Sequence, residues 1–355
     1  MATALGAISP LHVVRLTGPI FPPGDHERAE VSLRGWSFTA VSGTTPEEIV
    51  PHLANADIVS VVGTKMPAAV IDALAANGRC RAIARLGAGT DRIDVARATA
   101  CGIVVMNTPY FCVEEQADHA MAMILSLARK LPLAQRLIEA GDYAGARRAS
   151  ATNPRMSRTT LGLVGFGRSA IHLARRARGF GMRVIATRRN MAAPTAEADA
   201  IGVEMTDLDT VLRESDFVSL HLPLVPGAYH LIDASAIARM RPGAFLVNTS
   251  RGALVDEEAL AVAIRSGHLA GAGLDTFESF DPLEDGGPPG VHPLMGLDNV
   301  LLSPHVAAGS NQSGIDSVDA AIANIAAVAS GRWPIREHRV NPEVAPRFPL
   351  KDGAP

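Results

Sequence analysis

Short apolar runs rich in valine and isoleucine recur along the chain, each followed by a stretch in which apolar residues return at helical spacing. Strands that read as continuous apolar runs are buried on both faces, and their alternation with amphipathic helices predicts parallel-sheet α/β units. The pattern falls into two series. In the first, strands are expected at His12 to Leu16, Asp57 to Val62, Arg81 to Leu86 and Ile103 to Met106. Helices are expected near Pro46 to Ala54, Pro67 to Ala76 and Arg92 to Ala100. A long helical pattern then runs from Val113 toward Lys130, where Pro132 should bend or end it. The second series starts at Leu161: LGLVG, MRVIA, DFVSLHL, AFLVN, AGAGLD and NVLLS read as strands with helices between them, a Rossmann-like set. A last helical pattern, Ser313 to Ser330, is too short for a domain and is expected to pack back on the first series. Beyond Gly331, Pro334, Pro342, Pro346 and Pro349 predict an extended surface tail.

Length sharpens this reading, since single cores stop growing near roughly 250 residues and the chain has 355. Two domains are expected. With 47% apolar residues, 19% charged and a formal net charge of -3, the chain is globular and nearly neutral, which argues against nucleic acid as a partner. No basic leader with a long apolar core opens the chain, and no uninterrupted apolar stretch approaches about 18 residues, so no membrane association and a cytoplasmic location are expected. The cysteines, Cys80, Cys101 and Cys112, lack metal-ligand spacing and read as small core residues in a reducing compartment.

Chemistry enters where LGLVG leads into Gly165, Phe166, Gly167, Arg168, Ser169 and Ala170, and then into a helix. Gly165 permits a tight turn, Gly167 lets a phosphate approach the backbone, and Ala170 stands where the usual fingerprint has a third glycine. The free N–H groups of the helix's first turn and its dipole suit a diphosphate. At the end of the next strand, where a carboxylate commonly binds the adenosine ribose, the chain has Thr187, Arg188 and Arg189. Guanidinium groups can bind a 2'-phosphate bidentately and a carboxylate would repel it, so NADP(H) is expected over NAD(H), which stays possible. The bland alternative is a pair of solvated arginines.

Further pieces stand at strand ends of the second series, where ligands of open α/β sheets bind: Asn248 to Gly252, Asp275 to Pro282 and Ser303-Pro304-His305. With VSLHLPL and the earlier Arg85-Leu86-Gly87-Ala88-Gly89-Thr90-Asp91, the whole arrangement resembles the D-isomer-specific 2-hydroxyacid dehydrogenase family, over nearly the entire chain. The segment from Thr108 to Leu131 is similar to its corepressor-like branch. The resemblance implies two doubly wound parallel-sheet domains, a Rossmann cofactor domain (107–308) inserted into a flavodoxin-like substrate domain (1–106 and 309–345), with 346–355 as a tail. It also implies hydride exchange between a nicotinamide and a small 2-oxo or 2-hydroxy acid of D configuration, a closing interdomain cleft, and a homodimer built on the Val113 helix.

Reduction of a 2-oxo acid needs a hydride at the carbonyl carbon and a proton at its oxygen. His305 suits the proton donor, because an imidazole with an ordinary pKa near ~6.5 stays protonated near neutrality beside a carboxylate. Arg251 suits the anchor, its planar guanidinium bonding both the carboxylate and the reacting carbonyl. By resemblance, backbone N–H groups at Ala88 and Gly89 form a second carboxylate cradle. Gln116, Leu222, Pro223, Thr249, Ser250 and Asp275 line the cofactor, with Asp275 on its nicotinamide side. Lys65, in a strand-end loop, is a possible substrate contact or a solvated lysine. His119, His172 and His221 read as structural, His221 ending a strand beside the cofactor.

The chain departs from the family in two places. The family's catalytic Glu-Pro pair is Asp281-Pro282 here, in a segment one residue longer, so Asp281 is favoured as the partner of His305 with Glu278 as the alternative. An aspartate is shorter, and slow turnover or an acid-shifted optimum would follow if it reaches poorly. Val225 and Ala228 stand where threonine hydroxyls are frequent beside the cofactor. The rival reading is a non-enzymatic, dinucleotide-sensing scaffold, since fold alone does not settle function; retention of Arg251 and His305 favours the enzyme.

Overall fold

The computed structural model describes residues 11–18, 22–280 and 292–352. Within them the chain divides into two units, one running to Phe111 and resuming at Ser310, the other running from Cys112 to Gly309.

The first unit is a parallel sheet of β1 (His12–Thr17), β2 (Ser37–Ser42), β3 (Ile58–Val61), β4 (Ala82–Arg85) and β5 (Val104–Met106), in the order β2-β1-β3-β4-β5. That is the flavodoxin-like order. Val14, Leu16, Val59, Val61 and Ile83 face one core, and Val13, Ile58, Ala82, Val104 and Met106 the other, which explains why these strands read as unbroken apolar runs. The returning helix Ser313–Ala329 covers the second face through Ile325 and Val328. The tail is tied to this unit: Val105 N–H donates to Asn341, Arg347 N–H to Gly102, and Trp333 N–H to Lys351.

The second unit carries β6 (Thr160–Val164), β7 (Arg183–Thr187), β8 (Val203–Met205), β9 (Phe217–Leu220), β10 (Phe245–Asn248), β11 (Gly271–Leu274) and β12 (Val300–Leu302). Their order, β12-β11-β10-β9-β6-β7-β8, is all parallel and reverses between β6 and β9, the Rossmann arrangement with one added strand. Helix Val113–Arg129 buries Ala117, Ala120, Met121, Ile124 and Leu127 against one face of this sheet. It stops at Lys130, whose φ of 53° is left-handed, and Pro132 sits in the first turn of the following helix Leu131–Glu139, where its missing N–H costs nothing.

Five strands and α-helices lie outside the sequence reading: β2, β8, the helix Asp25–Leu33, and the pair Leu131–Glu139 and Tyr143–Ser150. Among the described residues no helix is long and apolar enough to cross a membrane.

Candidate active site

The glycine turn lies between β6 and the helix Arg168–Gly179, at the topological switch of the sheet. Gly165 has φ of +94°, and a Cβ there would overlap the carbonyl oxygen of His221, so both conformation and space require glycine. Around Gly167 nothing stands within 4 Å of where a Cβ would be, which leaves room for a ligand's approach. The helix begins at Gly167 without a side-chain cap, so its first N–H groups are available to an anion. Phe166 is half-buried against the core of the unit. These features fit a dinucleotide diphosphate.

At the end of β7, Thr187 is buried and its Oγ1 lies 3.9 Å from the sulfur of Met191. Arg188 folds back on its own loop, its Nη2 donating to the carbonyls of Ala193 and Pro194. Its buried Nε finds no partner among the described residues, while Arg189 is exposed. Along β9 and β10, Leu222 and Pro223 follow His221. Ser250 Oγ donates to the Leu220 carbonyl at 2.7 Å, and Gln116 Nε2 donates to the Thr249 carbonyl at 2.7 Å. Among the described residues, the buried Thr249 Oγ1 and Thr276 Oγ1 have no hydrogen-bond partner, as hydroxyls suited to a ligand would.

The candidate catalytic residues stand just past the carboxyl ends of neighbouring strands. Arg251 follows β10, Asp275 follows β11, and His305 follows β12. A chain of hydrogen bonds links them. His305 N–H donates to the Asp275 carbonyl at 2.7 Å, Asp275 N–H to the Asn248 carbonyl at 2.9 Å, and Asn248 Nδ2 to the Arg251 carbonyl at 2.7 Å. Arg251 Nη1 donates to the carbonyl of Ser250 at 2.7 Å. Gly252 admits no side chain, because the backbone of Phe277 and Glu278 lies against its α-carbon.

Among the described residues His305 is one of three non-glycine residues with positive φ, at 56°. The turn that holds it is clamped by Asp275, whose carboxylate is fully buried. That carboxylate accepts from Ser303 Oγ at 2.5 Å, Val306 N–H at 2.9 Å and Ala307 N–H at 2.8 Å. His119 Nε2 sits 2.9 Å from Ser303 Oγ and 3.7 Å from Asp275 Oδ1. His119 was expected to be structural, and its place beside this clamp has no local signal, because its partners are remote in the chain.

Asp281 lies outside the described residues. The alternative, Glu278, gives its carboxylate to His230 Nε2 at 2.7 Å and to the Tyr229 hydroxyl, which raises the Tyr229 pKa. Its backbone is held by Glu257, a buried carboxylate that accepts from Glu278 N–H at 2.9 Å, Ser279 Oγ at 3.3 Å and His292 Nε2 at 3.0 Å. In the first unit, Arg85 curls over its own loop, Nε donating to the Gly89 carbonyl at 3.0 Å and Nη1 to Leu86. Asn107 Nδ2 donates to the Ala88 carbonyl at 2.7 Å, and Lys65 is exposed in the loop after β3.

Comparison with known proteins agrees with this geometry. Residues 121–307 match the family described as D-isomer specific 2-hydroxyacid dehydrogenase, NAD binding domain. The chain is 38% identical over 260 residues to a glyoxylate reductase of Thermococcus litoralis, covering 72% of this chain and 76% of that one. It is 38% identical over 306 residues to a glyoxylate reductase of Korarchaeum cryptofilum, covering 83% and 86%. Among solved structures, D-lactate dehydrogenase from Aquifex aeolicus, complexed with NAD and lactic acid, superposes with a TM-score of 0.81 at 26% identity, covering 92% of this chain and 98% of that one.

Proposed function

Because the chain belongs to the D-isomer-specific 2-hydroxyacid dehydrogenase family and is an enzyme of that family, we propose that it reduces a small 2-oxo acid to the D-2-hydroxy acid, with NADPH as preferred reductant. The observation that carries the reading is the bonded chain from His305 through Asp275 and Asn248 to Arg251, at the strand ends beside the glycine turn. The turn of Gly165 and Gly167 would hold the diphosphate of a nicotinamide dinucleotide, which would supply the hydride for the carbonyl carbon. Arg251 orients the substrate through its carboxylate and stabilises charge developing on the carbonyl oxygen. His305, in its left-handed turn after β12, delivers the proton to that oxygen. Asp281 is proposed to sustain the proton affinity of the imidazole. Glu278 is the less suited alternative, because its carboxylate already serves His230 and Tyr229.

The cofactor contacts are proposed for Gly165, Phe166, Gly167, Arg168, Ser169, Thr187, Leu222, Pro223, Thr249, Ser250 and Gln116. Preference for the 2'-phosphate rests on Arg188 and Arg189 replacing the usual carboxylate; the bonds to Ala193 and Pro194 fix Arg188, and exposed Arg189 supplies the second charge. Lys65, Ala88 and Gly89, in the other unit, are proposed as substrate contacts on the family resemblance. A cytoplasmic location is proposed from the sequence alone. The helices Leu131–Glu139 and Tyr143–Ser150 bury no residue within the chain and expose Leu131, Ile138 and Tyr143, an apolar surface suited to a second copy in a homodimer.

Oxidation of NADPH and NADH is to be followed with glyoxylate, hydroxypyruvate and phenylpyruvate. Turnover with a 2-oxo acid and a higher kcat/KM for NADPH is expected. No turnover overturns the reductase reading, and NADH preference overturns the cofactor assignment alone.

A further inference from the structure

We propose that His221 sets the direction of the Ser169 hydroxyl proton, so that Ser169 presents a hydrogen-bond donor to the diphosphate of the bound dinucleotide. The inference rests on the dinucleotide site proposed above and assigns a task to a histidine that the reaction itself does not use.

His221 closes β9, with its N–H donating to the Val164 carbonyl at 2.7 Å and its own carbonyl lying over Gly165. Its ring bridges two hydroxyls: Nδ1 is 3.1 Å from Ser169 Oγ, and Nε2 is 2.9 Å from Ser219 Oγ. Ser169 lies in the first turn of the helix Arg168–Gly179 and is half-buried, whereas Ser219 lies inside the sheet with no exposure. Burial pushes the imidazole pKa down to about 4, so the ring is neutral at working pH. A neutral imidazole has one N–H and one lone pair, which leaves two arrangements.

In one arrangement, Nε2–H donates to Ser219 and Ser169 donates to Nδ1. The Ser219 proton is then stranded in the interior, because among the described residues Ser219 Oγ bonds only to His221 Nε2. Ser169 also turns only lone pairs toward the glycine turn. In the other arrangement, Ser219 donates to Nε2, Nδ1–H donates to Ser169 Oγ, and the Ser169 proton points away from the ring. No buried donor is orphaned, and a diphosphate, which can only accept, meets a donor. An orphaned buried hydroxyl carries a desolvation penalty, so the second arrangement prevails even before a ligand binds.

Three measurements test this. The imidazole 15N shifts of His221 in the full-length protein are expected to show Nδ1 protonated and Nε2 bare. In fluorescence titrations with NADPH, His221→Leu and Ser169→Ala are each expected to raise Kd about tenfold, the worth of one charge-assisted hydrogen bond. The double variant should be no weaker than either alone within a factor of about two, while His221→Asn, whose amide N–H replaces Nδ1–H, should retain affinity within about threefold. An Nε2-protonated ring, equal losses in the Leu and Asn variants, or multiplying losses in the double variant would overturn the proposal. Failure of the unmodified protein to bind any dinucleotide would instead overturn the reading of the site beneath it. If His221→Leu does not fold, the 15N shifts together with Ser169→Ala and His221→Asn still decide.

Discussion

Protonating His221 should destabilise the second unit. The ring is fully buried between two serine hydroxyls, and burial lowers its pKa from 6.5 to about 4. An unfolded chain therefore binds this proton at higher pH than the folded one does. The sign follows: the contribution to stability is complete above the unfolded pKa and is lost as pH falls through the window between the two values. One pKa unit corresponds to about 1.4 kcal/mol, so the full window is worth about 3 kcal/mol, of which about 2 to 3 kcal/mol is lost by pH 4.5. Carboxylates titrate in the same range, so the quantity to measure is the difference between the unmodified protein and His221→Asn. Urea unfolding followed by far-UV circular dichroism at intervals from pH 7.5 to 4.5 supplies it. The stability advantage of the histidine protein should shrink steadily below pH 6.5. A difference that stays flat across that range would refute the claim that the buried ring is held neutral.

Further tests address the proposed site. Replacing His305 with Asn removes the proton donor and is expected to lower kcat by about 10²- to 10⁴-fold, with NADPH affinity, read by fluorescence titration, little changed. Arg189→Ser should raise KM for NADPH on the order of tenfold while leaving KM for NADH unmoved, because only the 2'-phosphate loses a partner; equal changes with both cofactors would remove Arg189 from the phosphate site. Asp275→Asn turns an amide nitrogen toward either Val306 N–H or Ala307 N–H, and should lower stability by about 1 to 3 kcal/mol, as unfolding midpoints would show, together with a loss of kcat larger than any change in KM.

Most of the strands that carry the site, β6, β9, β10 and β11, were legible because they lie inside their sheet. Val164, Leu220, Val247 and Leu274 are buried on elements flanked on both sides, and such positions force unbroken apolar runs. Two of the edge strands, β2 and β8, were not legible for the converse reason, whereas β5 and β12, also at edges, keep short apolar runs. β2 leaves most of SFTAVS exposed or half-exposed, and β8 is a short run with Glu204 exposed, so neither needs an apolar pattern. Helix Asp25–Leu33 escaped notice because it buries only Glu27 and Val31. In the site, the glycine turn, Arg251 and His305 could be singled out from residue type and strand-end position. The bonds that arrange them could not, since His119 meets Ser303 across 184 positions and Glu257 meets His292 across 35. No local pattern encodes such pairs.

Asp275 shows how a residue picked for one task carries another. Its expected place was beside the nicotinamide, yet its side chain is fully buried and its oxygens receive Ser303 Oγ and the N–H groups of Val306 and Ala307. Left-handed φ on a non-glycine residue such as His305 carries about 1 to 3 kcal/mol of strain and persists only where surrounding bonds over-determine it. Two N–H bonds and one hydroxyl bond to the buried Asp275 carboxylate supply such over-determination. The carboxylate thus acts on His305 through the backbone of its turn; the proposed partner Asp281 would have only proton affinity to supply. On the proposed pairing, position and proton affinity would be under separate control, and the departure at Asp281-Pro282 would not have to move His305 from its strand end.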